Sequence, residues 1–163
     1  MSRYLCLLRH AQSADKQTGQ SDKERQLSTT GFAESADVGN FLKEKSLIPD
    51  LIISSSAVRT KTTSKIITDI LAHPSIKIII REDLYETTIS KLLDMLAQLD
   101  EEIDNVLLVG HNPIFTSLLD YLTHEQNTSL QSAELVILRF ELPKWKDINQ
   151  SRGIITERFY KKL

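Results

Sequence analysis

Short apolar runs alternate with amphipathic stretches along most of this chain. The first run, Arg3 to Leu8, is apolar on both faces, as a strand inside a sheet would be. The polar stretch from Gln12 to Arg25 predicts an exposed loop. A helix then begins near Thr29 and Thr30, with Phe32, Ala36, Gly39 and Leu42 along one stripe. Pro49-Asp50 breaks the chain before a second strand, Leu51 to Ser54. Ser55 or Ser56 is placed to cap the helix that follows, which buries Ile66, Ile67, Ile70 and Leu71 and ends at His73-Pro74. The β-branched run Ile76 to Ile80 predicts a third strand. Leu92, Leu93, Leu96 and Leu99 mark another amphipathic helix, and Val106 to Val109 a fourth strand. Asn112-Pro113 reads as a cap residue and a first-turn proline opening a helix, with Ile114, Phe115, Leu118, Leu119 and Leu122 toward the sheet.

The C-terminal part changes character. Val136, Leu138, Phe140 and Leu142 alternate with Ile137, Arg139 and Glu141, and Gly153 to Phe159 is a second strand candidate. The two are expected to pair across the polar segment Lys144 to Arg152 as an antiparallel edge. The predicted fold is a three-layer α/β domain: a mostly parallel central sheet, helices on both faces and an antiparallel C-terminal edge.

Composition narrows the field. The chain has 163 residues and shows no internal repeat or linker, so one domain over 1–163 is expected. A net charge of -2 gives no electrostatic case for nucleic acid or a membrane surface. No apolar run reaches the roughly 18 residues of a membrane span. The N-terminus lacks the pattern of a signal peptide, which points to the cytoplasm. The single cysteine, Cys6, sits in the apolar run Tyr4-Leu5-Cys6-Leu7-Leu8 and reads as a buried strand residue.

Candidate chemistry lies at the strand ends. His10 follows the first strand within Leu8-Arg9-His10-Ala11, and His111 follows the fourth within Val109-Gly110-His111-Asn112-Pro113. In open α/β sheets, ligands bind beyond the carboxyl ends of the strands. Arg59, just after the second strand, reaches the same rim, and Arg9 adjoins His10. Two arginines and two histidines around one point suit a tetrahedral dianion, because a guanidinium pairs two phosphate oxygens at once. There is no Gly-x-Gly-x-x-Gly after the first strand and no Walker loop, which argues against a nucleotide-binding protein.

These segments, with Arg25-Gln26-Leu27-Ser28-Thr29-Thr30-Gly31, Ser54-Ser55-Ser56-Ala57-Val58-Arg59-Thr60 and Leu84-Tyr85-Glu86, resemble the histidine phosphatase superfamily. The small phosphohistidine phosphatase (SixA-like) branch of that phosphoglycerate mutase-like superfamily is the nearest pattern. The family motif is Arg-His-Gly; here Ala11 replaces the glycine, as it often does in that branch. The resemblance implies that His10 is the nucleophile, with its other ring nitrogen held by a main-chain carbonyl. Arg9, Arg59 and His111 would bind the phosphoryl oxygens, and Arg25 is a candidate third basic contact. Glu86 stands where many relatives carry an acidic residue and is the candidate general acid.

No clustered acidic metal site is visible, so turnover without a metal or other cofactor is expected. The segments between motifs are short, which favours an open site and a phosphorylated protein side chain, phosphohistidine in particular. A small-molecule phosphomonoesterase, or less readily a phosphoglycerate mutase, is the alternative within the superfamily. A non-catalytic phosphoprotein-binding module is the alternative outside enzymology.

Overall fold

The computed structural model describes residues 1–161. Six strands form one sheet: β1 (Ser2–Arg9), β2 (Leu51–Ser55), β3 (Lys77–Arg81), β4 (Asn105–Gly110), β5 (Leu135–Glu141) and β6 (Ile154–Phe159). Their order is β3-β2-β4-β1-β5-β6. The first four run parallel, and β5 pairs antiparallel to both β1 and β6.

The central strands are buried on both sides, which is why their sequences are continuously apolar rather than alternating. Leu5, Leu7, Leu51, Ile53, Val106 and Leu108 face one core, against α3 (Ile89–Ala97) and α4 (Ile114–Thr123). Cys6, Leu8, Ile52, Leu107 and Val109 face the other, against α1 (Thr29–Glu44) and α2 (Val58–Leu71). The chain uses the α1 and α2 face while stepping toward β3, and the opposite face while stepping back. That exchange keeps the crossover connections of one hand. The three-layer architecture, with its antiparallel C-terminal part, is the one predicted from the pattern.

Several local expectations are corrected. Phe32 is 50% exposed; α1 buries Gly31, Ser35, Val38, Gly39 and Leu42 instead, a stripe rotated away from Phe32. Neither Ser55 nor Ser56 caps α2: Ser55 ends β2, and the N-cap position falls on Ala57, which has no side-chain cap. Asn112 makes no cap to a helix N–H; its side chain accepts from Thr116 Oγ1 at 3.0 Å, and the Asn112-Pro113 peptide is cis. β3 is an edge strand, so Ile78, Ile79 and Ile80 are half-exposed. The segment from Lys144 to Arg152 is not simply polar: its 3-10 turn, Trp145–Gln150, buries Trp145 and Ile148 against the core. Among the described residues, no helix is long and apolar enough to cross a membrane.

Candidate active site

Strand register brings the two histidines together. Leu8 pairs with Val109 and Arg9 with Gly110 across β1 and β4, so His10 and His111 leave the sheet side by side. The His10 N–H donates to the Gly110 carbonyl at 3.0 Å, and the two ring centroids lie 5.3 Å apart. On the other side of β4, Ser54 pairs with Val109. That places Ser55 within reach of His111, and its Oγ lies 2.7 Å from His111 Nε2. Ser55 Oγ also accepts the Ala57 N–H, which leaves its own proton free to go to the ring.

Gly110 makes this turn possible. A Cβ on it would stand 2.4 Å from Cζ of Phe115, the aromatic anchor of α4. Gly31 serves the other motif in a similar way: a Cβ there would lie 2.0 Å from the Gln12 carbonyl oxygen. Ser28 caps α1 by accepting the Gly31 N–H, while its own N–H donates to that same Gln12 carbonyl. The Leu27-Ser28-Thr29-Thr30-Gly31 segment thus clasps the chain just after His10. Ala11 is fully buried, its backbone lies outside the left-handed region, and its N–H donates to Thr63 Oγ1. Alanine is therefore compatible with the local geometry where the family motif has glycine.

His10 is held in one tautomer. Its Nδ1 lies 2.7 Å from the Ala11 carbonyl oxygen, which can only accept, so the proton sits on Nδ1. Nε2 keeps its lone pair and accepts from Arg59 Nε at 3.2 Å. Burial pushes the His10 pKa down to about 3 against the opposing hydrogen bond to the Ala11 carbonyl, with smaller lowering contributions from Arg59, His111 and Arg9. Burial, followed by Arg59, lowers His111 to about 4. Both rings are neutral at physiological pH.

The arginines converge unequally. Arg59, on the first turn of α2, is buried with its guanidinium against His10. Arg9 donates through Nη1 to the Leu130 carbonyl at 2.9 Å, and its buried Nε has no hydrogen-bond partner among the described residues. Arg25 lines the same cleft but is committed to its own loop, donating to the Ala14 carbonyl, Ser13 Oγ and Asp22 Oδ1. Glu86 is exposed on the rim. The cleft encloses about 410 Å³, and its lining is polar, with Asn112 and Ser13 completing the wall.

Two residues in it carried no role in the sequence. Asp22 reaches inward from the loop: its carbonyl accepts from Arg59 Nη1 at 2.7 Å, and its Oδ2 from Arg59 Nη2 at 2.9 Å. Tyr85 donates its hydroxyl to the same Oδ2 at 2.6 Å and sets its ring edge-on to His111. With Tyr85, Arg59 and Arg25 all donating to it, the Asp22 carboxyl is held well below the usual carboxylate range. The loop from Gln12 to Arg25 is thus not wholly exposed. The only signals for this were the three-residue spacing of Asp22 and Arg25 and the place of Tyr85 beside Glu86. Among the described residues, no three His, Cys, Asp or Glu side chains cluster closely enough to hold a metal ion.

Comparison with known proteins agrees with this geometry. Residues 5–103 match the profile of the histidine phosphatase superfamily (branch 1). An uncharacterized chloroplastic protein of Arabidopsis thaliana is 45% identical over 65 residues, which cover 40% of this chain and 30% of that protein. An uncharacterized protein of Mycobacterium tuberculosis is 27% identical over 135 residues, covering 82% of this chain and 80% of the relative. Among solved structures, one described as a phosphohistidine phosphatase SixA from Agrobacterium tumefaciens superposes with a TM-score of 0.85 at 24% identity, covering 98% of both chains. The protein histidine phosphatase SixA complexed with tungstate gives 0.78 at 22% identity and 96% coverage of both. A mycobacterial glucosyl-3-phosphoglycerate phosphatase gives 0.67 at 16% identity, covering 96% of this chain and 98% of the other.

Proposed function

Because this chain belongs to the histidine phosphatase superfamily, branch 1, we propose that it hydrolyses phosphoryl groups through a phosphohistidine formed on His10, and that its substrate is phosphohistidine in a protein. The observation that carries the proposal is the tautomer of His10: a proton on Nδ1, a lone pair on Nε2 facing the cleft, and a ring kept neutral by its surroundings. In the first step Nε2 bonds to phosphorus as the bond to the leaving group breaks. In the second, water attacks phosphorus and the electron pair returns to Nε2. Charge that spreads over the phosphoryl oxygens is met by Arg59, once it turns from His10, and by Arg9 and His111, which line the same cleft. Arg25, tied to Asp22, Ser13 and Ala14, serves in this scheme to hold the loop rather than the phosphate.

The leaving group favours phosphohistidine. An alkoxide must be protonated as it departs, and Asp22, the carboxylate paired with Arg59, carries no proton near neutral pH. A departing imidazole is a far better leaving group and needs less help. The name SixA is carried by the Agrobacterium tumefaciens structure, as a phosphohistidine phosphatase, and by the tungstate complex, as a protein histidine phosphatase, in keeping with this choice. Glu86, on the cleft rim, is the observation that favours the alternative, a small phosphate ester with Glu86 as acid. The test compares kcat/KM on a phosphohistidine-bearing protein and on β-glycerol phosphate, an alkyl ester, for the wild type and Glu86→Gln. A preference of about 10²-fold or more for the protein, unaffected by the substitution, is expected. A preference for the ester that collapses in Glu86→Gln would establish the alternative instead.

A further inference from the structure

Arg59 is fully engaged around the nucleophile before any phosphoryl group arrives. Its Nε–H lies on the lone pair of His10 Nε2, and its two other nitrogens are held by the carbonyl and carboxylate of Asp22. An incoming phosphorus must approach Nε2 along the direction that Arg59 Nε now occupies at 3.2 Å. The guanidinium must therefore turn away from His10 and toward the phosphoryl oxygens, and Asp22 resists that turn. The Asp22 carboxylate is itself braced, by Tyr85 on Oδ2 and by Arg25 on Oδ1. Next to it in sequence, Lys23 pairs with Glu82 at the end of β3, so the loop is fastened on both sides of the cleft.

From this the geometry points to Asp22 as a specificity-determining gate: a phosphoryl group reaches His10 only by taking Arg59 from the Asp22 carboxylate. The inference rests on the proposed phosphatase function, since it assumes that the cleft receives a phosphoryl group. Its consequence is that the wild-type chain binds anions more weakly than its cluster of basic groups allows. Ligands with two charged oxygens able to engage the guanidinium fork are favoured, because only they replace both contacts that Arg59 gives up. The carboxylate acts as an internal competitor, and the bound state appears when an external anion outcompetes it.

Calorimetric titration of the full chain with inorganic phosphate near neutral pH tests this. Asp22→Asn removes the charge while keeping the shape and is expected to bind phosphate about tenfold more tightly, equivalent to about 1.4 kcal/mol. Tyr85→Phe loosens the brace without touching the carboxylate and is expected to shift affinity in the same direction by less. Asp69→Asn removes a surface carboxylate on α2 that neither lines the cleft nor contacts Arg59, and is expected to change affinity by less than about threefold. A merely structural role for Asp22 predicts the opposite sign, because a freed loop would disorder the site. Wild type that binds phosphate as tightly as Asp22→Asn, or an equal gain in Asp69→Asn, overturns the gate and leaves the phosphatase function standing. Failure of both wild type and Asp22→Asn to bind phosphate overturns the two together.

Discussion

Arg59 Nε donates to His10 Nε2 across 3.2 Å, so a cation covers the lone pair of the proposed nucleophile. In the proposed reaction the same guanidinium turns from that lone pair to the oxygens of the transferred group. Arg59→Ala is expected to lower kcat/KM by about 10²–10³-fold, as removal of one such donor does elsewhere. Arg59→Lys keeps the charge but not the planar fork, and should recover only part of the loss. Steady-state kinetics on a phosphohistidine protein checks both.

Acid should destabilise the fold through the two site histidines. Each has an ordinary pKa of about 6.5 in the unfolded chain, but about 3 for His10 and about 4 for His111 in the native state. Below pH 6.5 the unfolded chain therefore binds protons that the native state refuses, and stability falls as pH falls until the native rings titrate in turn. At pH 5 the loss is about 2 kcal/mol for each ring. Above about pH 7.5 these groups contribute no pH dependence. Urea unfolding from pH 8 to 5 measures the loss. The ring-proton NMR signals of His10 and His111 should stay fixed over that range.

Ser55 is expected to matter through His111. Its hydroxyl is fully buried and lies 2.7 Å from Nε2 of that ring. Ser55→Ala leaves a buried ring nitrogen without a partner and frees its orientation. A fall of about tenfold in kcat/KM corresponds to the loss of one such hydrogen bond. The thermal midpoint should drop with it.

Gly110→Ala tests the turn that carries His111. The added methyl collides with the ring of Phe115, which is 1% exposed and has no solvent to move into. Overpacking of this kind costs about 1–3 kcal/mol. Both the thermal midpoint and the activity should fall, because displacement of Phe115 carries His111 with it.

The strands were readable because burial on two faces selects apolar side chains along their central stretches. Leu5 to Leu8 and Val106 to Val109 contain nothing else. The meeting of His10 and His111 was readable too, since parallel strands deliver their C-terminal ends to one rim. Asp22 and Tyr85 were not. A loop has no periodicity, so nothing in the order of residues distinguishes an aspartate that turns inward from one that faces water. Arg59 and Tyr85, arriving from elsewhere in the chain, fix its direction. Phe32 shows the converse failure. Its spacing fits an apolar stripe, but the closest packing of α1 is made by small residues, with Gly39 against Ile70. Ser55 looked like a helix cap from its position alone, while the strand register gives it to His111.

The central claim is a covalent bond between phosphorus and Nε2 of His10. The direct measurement is rapid acid-free quenching of the enzyme with a 32P-labelled substrate, followed by peptide mapping. Acid-labile, base-stable label on the peptide containing His10, absent from His10→Asn, is the expected result. Turnover without label on His10, or label that persists in His10→Asn, would contradict it.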